Sequence, residues 1–354
     1  MNQRDIKNFI LPREEVLTDL ESYSTYVKGK TVLVTGGGGS IGSELCRQLC
    51  LLGAKKLVIL DIYENGAYEV FRELDNYKNQ MEISVEIADI TDKRKINALF
   101  KKIKPQVVFN ASAHKHVPLM EDCPDEAVKN NVYGTLNLLK ASDKNGVEVF
   151  VQISTDKAVN PSSIMGATKL LCEIMLKNFQ KKSKVKFTAV RFGNVLGSNG
   201  SVIPIFEKQI EAGGPITLTH KEMVRYFMTV SEAVSLLITA GSLCVGGEVF
   251  VLDMGSPVKI YDLAKKMVQL SNKDIAIVVT GLRTGEKLYE ECLYDSENLQ
   301  ATKHKKISVA TLKGRRAFVF NLRLKRLIRL SKKGDDGVKQ MIAKILPEYQ
   351  NGQV

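Results

Sequence analysis

The chain has 354 residues, of which 44% are hydrophobic and 25% are charged, and this composition excludes an intrinsically disordered protein. Its formal net charge is +12, yet charged residues interrupt every apolar stretch before it reaches the ~18 residues that a membrane-spanning helix needs. The first residues lack the apolar core of a secretory signal, so we predict a soluble, cytoplasmic protein.

The positive charge is concentrated near the end of the chain. Residues 301–354 carry 14 Lys or Arg and 3 Asp or Glu, a net +11, which leaves +1 for residues 1–300. The stretch 322–330 mixes Leu and Ile with Arg and Lys, so it could meet an anionic lipid surface at the inner face of the membrane, or an acidic partner. The alternative is a solvated helix with a basic edge. Nucleic-acid binding is not predicted, because no recognition motif or aromatic stacking platform is present.

Residues that could hold a metal ion are sparse and scattered. Six cysteines occur without a CxxC pair, and four histidines occur without a helical HxxxH pair. This pattern is typical of reduced, mostly buried thiols, and we predict no metal site.

Short apolar runs bounded by polar residues recur through the first half of the chain and predict buried strands. These runs are Thr31–Thr35, Lys56–Leu60, Ile83–Ala88, Val107–Asn110, Val149–Ser154 and Phe187–Arg191. Helical patterns lie between most of them. Such alternation is typical of the α/β class, with a Rossmann-type, doubly wound parallel sheet.

The pattern loosens after about residue 192, where Gly, Pro and Ser become frequent. We predict a leader over residues 1–29, a Rossmann-type domain over 30–192, a substrate lobe over 193–300 and a basic segment over 301–354. The substrate lobe is expected to be smaller, with mixed α/β structure, and some later segments are expected to return to the first domain. This lobe would close over the carboxyl ends of the strands, where ligands bind in open α/β folds.

A glycine-rich turn follows the first predicted strand. The sequence from Gly36 to Gly42 reads Gly-Gly-Gly-Gly-Ser-Ile-Gly. Glycines allow a tight turn and a close approach of pyrophosphate to the backbone, and the following helix N-terminus favours an anion. The predicted dinucleotide contacts in this turn are Gly36, Gly39, Ser40, Ile41 and Gly42.

Carboxylates at the ends of later strands suggest which dinucleotide is bound. Asp61 ends the second strand, where its carboxylate suits a ribose diol and repels a 2′-phosphate, which favours NAD over NADP. Asp89 and Ile90 follow the third strand and are predicted to lie at the adenine edge. For Asp89, capping of the following turn is an equal alternative.

The glycine turn matches the TGxxGxIG pattern of the short-chain dehydrogenases, from Thr35 to Gly42. Asn110-Ala-Ser-Ala113 resembles the second nucleotide-site turn of that family, which implies cofactor contacts at Asn110, Ala111 and Ala113. The family's catalytic Tyr-x-x-x-Lys has its equivalent in Met165 to Lys169, with methionine in place of tyrosine. Because a thioether cannot take a hydroxyl proton, a simple alcohol dehydrogenase is disfavoured.

Five separated motifs refine this resemblance. They are STDKAVNP (154–161), MGATK (165–169), RFGNVLGS (191–198), RYFMT (225–229) and GLRTGEKLYE (281–290). Together they resemble the bacterial polysaccharide-biosynthesis UDP-N-acetylglucosamine 4,6-dehydratases, extended short-chain dehydrogenases, over about residues 12–300. Many members carry membrane helices before the catalytic domain, so this chain is either a naturally short member or a piece of a longer protein.

The resemblance implies roles for the residues that follow the fifth predicted strand. Asp156 would protonate the departing C6 hydroxyl, and Lys157 would take the C5 proton. Thr155 would hold or deprotonate the C4 hydroxyl, Lys169 would bind the nicotinamide ribose, and Met165 would pack in the place of the tyrosine. A lysine base must be neutral, so we expect its pKa to fall by roughly 3 units from ~10.4.

The substrate, UDP-N-acetylglucosamine by this resemblance, requires cations and polar groups in the second lobe. Asn194 is a candidate for the diphosphate or sugar, and Arg225 and Arg283 are candidates for bidentate pairing with phosphates. Glu286 belongs to the same late motif, although it could instead form a surface pair. Lys115 and His116 are expected at the rim of the sugar site.

Two other functions stay open at this point. An NAD-dependent nucleotide-sugar 4-epimerase shares the scaffold, but it would normally keep the tyrosine. A non-catalytic NAD-binding sensor or scaffold also tolerates the loss of the tyrosine, although retention of Asp156, Lys157 and Lys169 argues against it. The resemblance further implies a homo-oligomer.

Overall fold

A nine-stranded sheet forms the centre of the computed structural model, which describes residues 3–12, 19–291, 299–312, 317–334 and 336–350. The strands are β1 Thr31–Thr35, β2 Lys56–Asp61, β3 Glu82–Ile87, β4 Val107–Asn110, β5 Val149–Ile153, β6 Lys186–Arg191, β7 Asn194–Val195, β8 Ile216–Leu218, β9 Val224–Met228, β10 Val249–Leu252, β11 Pro257–Lys259, β12 Ile277–Val279, β13 Leu299–Ala301 and β14 Ile307–Ala310. The large sheet has the order β13-β14-β10-β6-β5-β4-β1-β2-β3.

Helices cover both faces of this sheet. They are α1 Gln3–Ile10, α2 Leu20–Tyr23, α3 Ser40–Leu51, α4 Glu64–Glu73, α5 Lys93–Ile103, α6 Val117–Asp122, α7 Pro124–Ala127, α8 Thr135–Asn145, α9 Ile164–Gln180, α10 Val202–Glu211, α11 Val230–Leu243, α12 Ile260–Ser271, α13 Ala317–Lys332 and α14 Val338–Ile345. Short 3-10 turns lie at Leu74–Tyr77 and Asp156–Ala158, and a π-helical segment lies at Val128–Gly134.

The first six strands confirm the predicted doubly wound fold. All six predicted runs form strands with ends within one residue of the prediction, and β1 to β6 pair in parallel. Side chains alternate between the faces of a strand, so Leu33 packs with α5, α8 and α9, whereas Val32 and Val34 pack with α3, α4 and α11. A strand buried on both faces is a continuous apolar run, which is why these strands could be found in the sequence.

The chain after residue 192 builds a smaller lobe and also returns to the sheet. Strands β11-β9-β7 and β12-β8 form two small sheets. Their core includes Phe206, Ile216 and Leu263, and Ile6 and Ile10 of α1 pack into it. Strand β10 pairs in parallel with β6, and β14 continues antiparallel. The leader of the predicted domain scheme therefore contributes to the core of the smaller lobe, and a later segment extends the nine-stranded sheet.

The basic C-terminal segment packs on the body of the protein through α13 and α14. Leu324 and Leu327 of α13 are buried in the same core as α9, while Phe318 and Leu322 are exposed. In the ranges that the structure describes, no helix combines the length and the apolar character of a membrane span. Parts of the predicted leader and of the basic segment, 1–2, 13–18, 313–316, 335 and 351–354, lie outside the described residues.

Candidate active site

A cavity of about 670 Å³ lies at the carboxyl ends of the parallel strands. It is lined by the predicted glycine-turn residues Gly36, Gly39, Ser40, Ile41 and Gly42, and by Ala111 and Ala113 of the second turn. Thr155, Lys157, Met165, Lys169 and Asn194 line the same cavity. The fold thus brings most residues of the predicted cofactor site and catalytic site to one place.

The glycine turn is built for close approach of backbone to backbone. Gly36 has a φ of +68°, and a Cβ on Gly42 would lie 2.0 Å from the Gly36 carbonyl oxygen, so any side chain there would force the turn apart. Helix α3 begins at Ser40, so the last three residues of the glycine-rich segment 36–42 form its first turn. Its unpaired N-terminal amides and dipole would hold the pyrophosphate of a dinucleotide, so the turn fits the predicted cofactor.

Asp61 organises the glycine turn from the neighbouring strand. Its Oδ2 accepts a hydrogen bond from the Gly38 amide at 2.9 Å, and its Oδ1 accepts one from the Tyr63 amide at 2.9 Å. The carboxylate is thereby fixed at the end of β2 and next to the turn. This position suits the predicted contact with a ribose diol.

The Asp61→Ala variant is expected to bind NADH roughly 10-fold more weakly, because a hydrogen bond to a charged group contributes about 1.5–3 kcal/mol. The Asp61→Asn variant keeps one acceptor for Gly38, so we expect a smaller loss and a narrower preference for NADH over NADPH. Fluorescence titration with both cofactors measures the two effects. The exposed Glu64→Gln is the matched control, and equal affinities in all four proteins would exclude this role of Asp61.

Three of the predicted cofactor residues are used by the fold itself. Asp89 Oδ1 accepts a hydrogen bond from the Thr91 amide at 2.7 Å, which is the capping alternative. The Ile90 side chain is in the core, and Asn110 is fully buried and bonds Thr35 and Gln152. Both side chains point into packed structure, and contact of Ile90 and Asn110 with the cofactor stays a prediction. Asn110 also positions the second turn, since its Oδ1 accepts a hydrogen bond from Ser112 N at 3.3 Å.

The predicted acid and base occupy a short 3-10 turn directly after β5. Thr155 Oγ1 donates to Asp156 Oδ1 at 2.8 Å, and the Lys157 amide and Nζ donate to the same oxygen at 2.9 and 3.0 Å. The Asp156 side chain is 1% exposed. Its Oδ2 has no hydrogen-bond partner among the described residues. The Thr155 hydroxyl and the Lys157 amine thus both donate to one oxygen of the Asp156 carboxylate.

Lys157 reaches from this turn toward the second lobe. Its Nζ lies 3.5 Å from Asn194 Oδ1 and 3.3 Å from Glu290 Oε1. Burial by itself lowers the pKa of Lys157, but the carboxylates of Asp156 and Glu290 outweigh it, and the net shift is upward. The expectation of a lowered pKa is therefore wrong for this arrangement, because two carboxylates stabilise the charged form of the amine.

Met165 and Lys169 lie on the first turns of α9, which faces the cavity. Met165 is 3% exposed and packs in the core, as expected for a residue that replaces a tyrosine. Burial lowers the pKa of Lys169. Gly166 lies between them, and a Cβ there would be 2.1 Å from the Lys157 carbonyl oxygen. The absence of a side chain at Gly166 lets the helix approach the acid–base turn.

A smaller cavity of about 140 Å³ lies between Lys157 and the second lobe. Asn194, Arg225, Arg283 and Glu286 line it, so four of the predicted substrate residues are brought together. Asn194 lines both cavities and connects them.

Arg225 is buried, and its guanidinium is already used within the protein. Nη1 donates to the Val224 and Leu288 carbonyl oxygens at 2.7 and 3.2 Å, and Nη2 donates to the Lys287 carbonyl oxygen at 2.8 Å. Three of its five N–H donors are thus used within the protein, and contact of Arg225 with a phosphate stays a prediction. Through these bonds Arg225 fixes the late motif on β9.

The other predicted substrate residues differ in their exposure and in their contacts within the protein. Arg283 is exposed at the smaller cavity. The Glu286 carboxylate accepts a hydrogen bond from the Arg283 amide at 3.2 Å and so shapes the turn between them. Lys115 and His116 are exposed on the wall of the larger cavity. Contact of these residues with a substrate stays a prediction.

Two structural features of the site were not predicted. The first is a buried ion pair, in which Arg191 Nη2 donates to Glu173 Oε2 at 2.7 Å, while Ser154 Oγ donates to Glu173 Oε1 at 2.6 Å. The second is Glu290. Arg191 belongs to a predicted apolar strand, and Glu290 belongs to the motif at 281–290. A charged residue that does not fall on a solvent-facing side of its segment is the signal that could have found them.

The parallel sheet in the order β3-β2-β1-β4-β5-β6, the glycine turn and the Met-x-x-x-Lys helix define an extended short-chain dehydrogenase. The profile of the family described as "Polysaccharide biosynthesis protein" matches residues 32–312. The chain therefore belongs to this polysaccharide biosynthesis family.

Named relatives agree on the family and differ in activity. The "Probable polysaccharide biosynthesis protein EpsC" of Bacillus subtilis is 53% identical over 299 residues, which are 83% of this chain and 50% of that protein. A "UDP-N-acetylglucosamine 4,6-dehydratase (inverting)" of Campylobacter jejuni is 34% identical, over 74% of this chain and 77% of that protein. A "UDP-glucose 4-epimerase" of Rickettsia bellii is 33% identical, over 77% and 80%. The chain spans about half the length of the first curated relatives that it matches.

Solved structures show the same fold. The X-ray structure of Pen from Bacillus thuringiensis is 34% identical in sequence, has a TM-score of 0.75, and is matched over 80% of this chain and 90% of that one. The nucleotide-binding sheet and the smaller lobe described above are therefore arranged as in a solved relative of comparable length.

Proposed function

We propose that the chain catalyses NAD-dependent 4,6-dehydration of UDP-N-acetylglucosamine to a UDP-4-keto-6-deoxy-N-acetylhexosamine, for bacterial surface polysaccharide or glycan biosynthesis. The observation that carries the proposal is that Thr155 and Lys157 line the larger cavity and both donate to Oδ1 of the buried Asp156, while Met165 on the same cavity wall stands in place of a tyrosine. Elimination of water needs an acid beside a base, and this turn supplies both. The relative from Campylobacter jejuni, named for this reaction, supports the proposal.

NAD would be held by the glycine turn at its pyrophosphate, by Asp61 at its adenosine ribose and by Lys169 at its nicotinamide ribose. When bound, it supplies a hydride acceptor at the start of the cycle and the same hydride at the end. The lowered pKa of Lys169 follows from burial, and the buried helix α9 keeps this amine on the cavity wall. The site therefore fits NAD in its shape and its donors.

The chain's own residues would then perform the elimination. The proton on the C4 hydroxyl leaves through Thr155 Oγ1, which is bonded to Asp156. Lys157 Nζ removes the C5 proton, and Asp156 gives a proton to the C6 hydroxyl, which departs as water. A C5–C6 double bond forms as the C5–H and C6–O bonds break, and Lys157 Nζ would return the proton to C5 when C6 is reduced. Met165 cannot compete for a proton, because a thioether has none to exchange.

Isotope transfer tests the function directly. The protein is incubated with UDP-N-acetylglucosamine deuterated at C4, and the label is followed by mass spectrometry and NMR. A product lighter by one water with deuterium at C6 is expected. An unchanged mass with inverted C4 would indicate the 4-epimerase, and no turnover despite bound NAD would indicate a sensor or scaffold.

We also propose that the basic face of α13 lies near an anionic membrane surface. Phe318 is 81% exposed and Leu322 is 62% exposed, with Arg323, Lys325 and Arg326 alongside. Apolar side chains with adjacent cations suit an interface. Formation of a homo-oligomer stays a prediction.

Vesicle co-sedimentation measures this association. With about one third anionic lipid, the protein is expected to bind at low salt and to dissociate as salt is raised. Replacement of Arg323 and Arg326 by Ala is expected to weaken binding roughly 10-fold or more, at ~1 kcal/mol per charge. Replacement of the exposed Lys144 and Lys182 by Ala is the control. Equal binding of both double variants would refute a role for α13.

A further inference from the structure

Glu290 is a buried acid at the end of the late motif, in the segment that follows β12. Its side chain is 3% exposed, and it lines the smaller cavity together with Lys157 and Arg225. Burial of a carboxylate costs several kcal/mol unless charges or donors compensate it. A carboxylate buried at this position therefore needs partners that offset the cost of its burial.

The nearest charged partners of Glu290 belong to the two sides of the site. Glu290 Oε1 lies 3.3 Å from Lys157 Nζ and 3.7 Å from Arg225 Nη2. Within the described part of the chain, Oε2 is buried without a hydrogen-bond partner. Oε1 of Glu290 thus lies near Lys157, which is a candidate catalytic residue, and near Arg225, which fixes the late motif on β9.

The backbone holds Glu290 in this position. Arg225 binds the carbonyl oxygens of Lys287 and Leu288, which come just before Glu290. In addition, the Val224 amide donates to the Leu288 carbonyl oxygen at 3.2 Å. The segment that carries Glu290 is therefore attached to β9, and its carboxylate is a fixed feature of the second lobe.

Lys157 has a flexible four-carbon stem, so its amine needs external anchors to stay at a reacting atom. Asp156 provides one anchor from the turn after β5, and Glu290 provides another from the second lobe. We propose that Glu290 is a positioning residue of this site, whose carboxylate holds the Lys157 amine between the turn after β5 and the segment after β12. This inference rests on the proposed dehydration for its meaning in catalysis.

The proposal gives the second lobe a direct part in the chemistry. With Lys157 anchored to both lobes, correct placement of the base depends on their being together. Loss of the Glu290 charge would release one anchor and remove a stabilising charge from the Lys157 ammonium. Its amine would then be less well placed, and it would lose its proton at lower pH.

Glu290→Gln is the main test, because it keeps the shape and removes the charge. NMR titration of the Lys157 side chain, assigned with Lys157→Arg, is expected to show a lower pKa in Glu290→Gln than in the unaltered protein. For dehydration, we expect kcat to fall roughly 10- to 100-fold with little change in KM. The acidic limb of the kcat/KM profile is expected to move to lower pH, because more Lys157 is neutral there. Glu291→Gln, a more exposed neighbour, is the matched control and should leave all three quantities unchanged.

An unchanged Lys157 titration in folded Glu290→Gln would overturn the proposal. If that variant does not fold, Glu290→Asp keeps the charge but shortens the reach, and wild-type titration and kcat in this variant would likewise overturn it. The titration needs no substrate. An unaltered protein that makes no keto-sugar therefore disproves the dehydratase function, while the contact between Glu290 and Lys157 is still decided by NMR.

Discussion

Lys157→Ala is expected to lower kcat for loss of water by ~10²–10⁴-fold, the usual contribution of a positioned acid or base. The reason is that Lys157 Nζ is the amine that Asp156, Asn194 and Glu290 together hold at the junction of the two cavities. NADH affinity is expected to stay close to that of the unaltered protein, because the glycine turn and Asp61 do not depend on Lys157. Product formation is measured by mass spectrometry, and NADH binding by fluorescence.

Solvent exchange at C5 separates this role from a general loss of binding. In D₂O, the Lys157→Ala variant is expected to incorporate no deuterium at C5 of the sugar, while UDP-N-acetylglucosamine still binds. The exposed Lys182→Ala serves as the control and should exchange normally. Near-normal turnover of Lys157→Ala would remove this residue from the mechanism.

The second large effect is on stability. Arg191→Met is expected to reduce the free energy of unfolding by about 3–5 kcal/mol, because it leaves the Glu173 carboxylate buried without its cation. The two side chains are 1% and 0% exposed, and Arg191 Nε and Nη2 bond both carboxylate oxygens of Glu173 at 2.9 and 2.7 Å. Urea denaturation followed by circular dichroism gives the change.

A double variant distinguishes the cost of an isolated charge from the value of the pair. Arg191→Met combined with Glu173→Met removes both charges, and it is expected to recover most of the lost stability. The exposed pair of Lys259 and Glu222 offers a matched control, since Lys259→Met should leave the denaturation midpoint unchanged. A single variant as stable as the double variant would show that Glu173 does not need Arg191.

The nucleotide-binding half of the fold was predictable because its signals are local. Each buried strand is a continuous apolar run, and the Gly36–Gly42 turn needs residues without side chains where Gly42 meets the Gly36 carbonyl oxygen. The positions of Thr155, Asp156 and Lys157 followed from the resemblance. Their mutual hydrogen bonds then agree with the expected meeting of acid and base.

The contacts that the sequence did not reveal join residues far apart in the chain. Glu290 is separated from Lys157 by 133 positions in the chain, and no local pattern says that its charge raises the pKa of that lysine. Arg225 was expected to bind phosphate, because a motif gives the residue type without the carbonyl oxygens that occupy it. Asn110 was assigned to the cofactor by its motif, whereas packing assigns its side chain to Thr35 and Gln152.

The packing of the basic segment also could not be predicted from its sequence. Its charge suggested a surface role, yet Leu324, Leu327 and Ile342 bury an apolar stripe against the core that holds α9. Helical spacing of these apolar residues was present in the sequence. The sequence pattern does not show which surface these residues pack against, because that surface forms only when the sheet and its helices fold.

The return of β10 and β14 to the main sheet restricts how the cleft between the lobes can open. The chain enters the smaller lobe after β6, comes back at α11, leaves again after β10, and comes back again at β13 and β14. Two lobes joined by a single crossing of the chain are free to rotate about it. Several crossings restrict that rotation. At the rim of this cleft, a Cβ on Gly200 would lie 2.5 Å from the His116 imidazole, so the loop at Gly200 passes close to the wall that carries His116. A single proteolytic cut in one crossing would leave the two lobes tethered by the others.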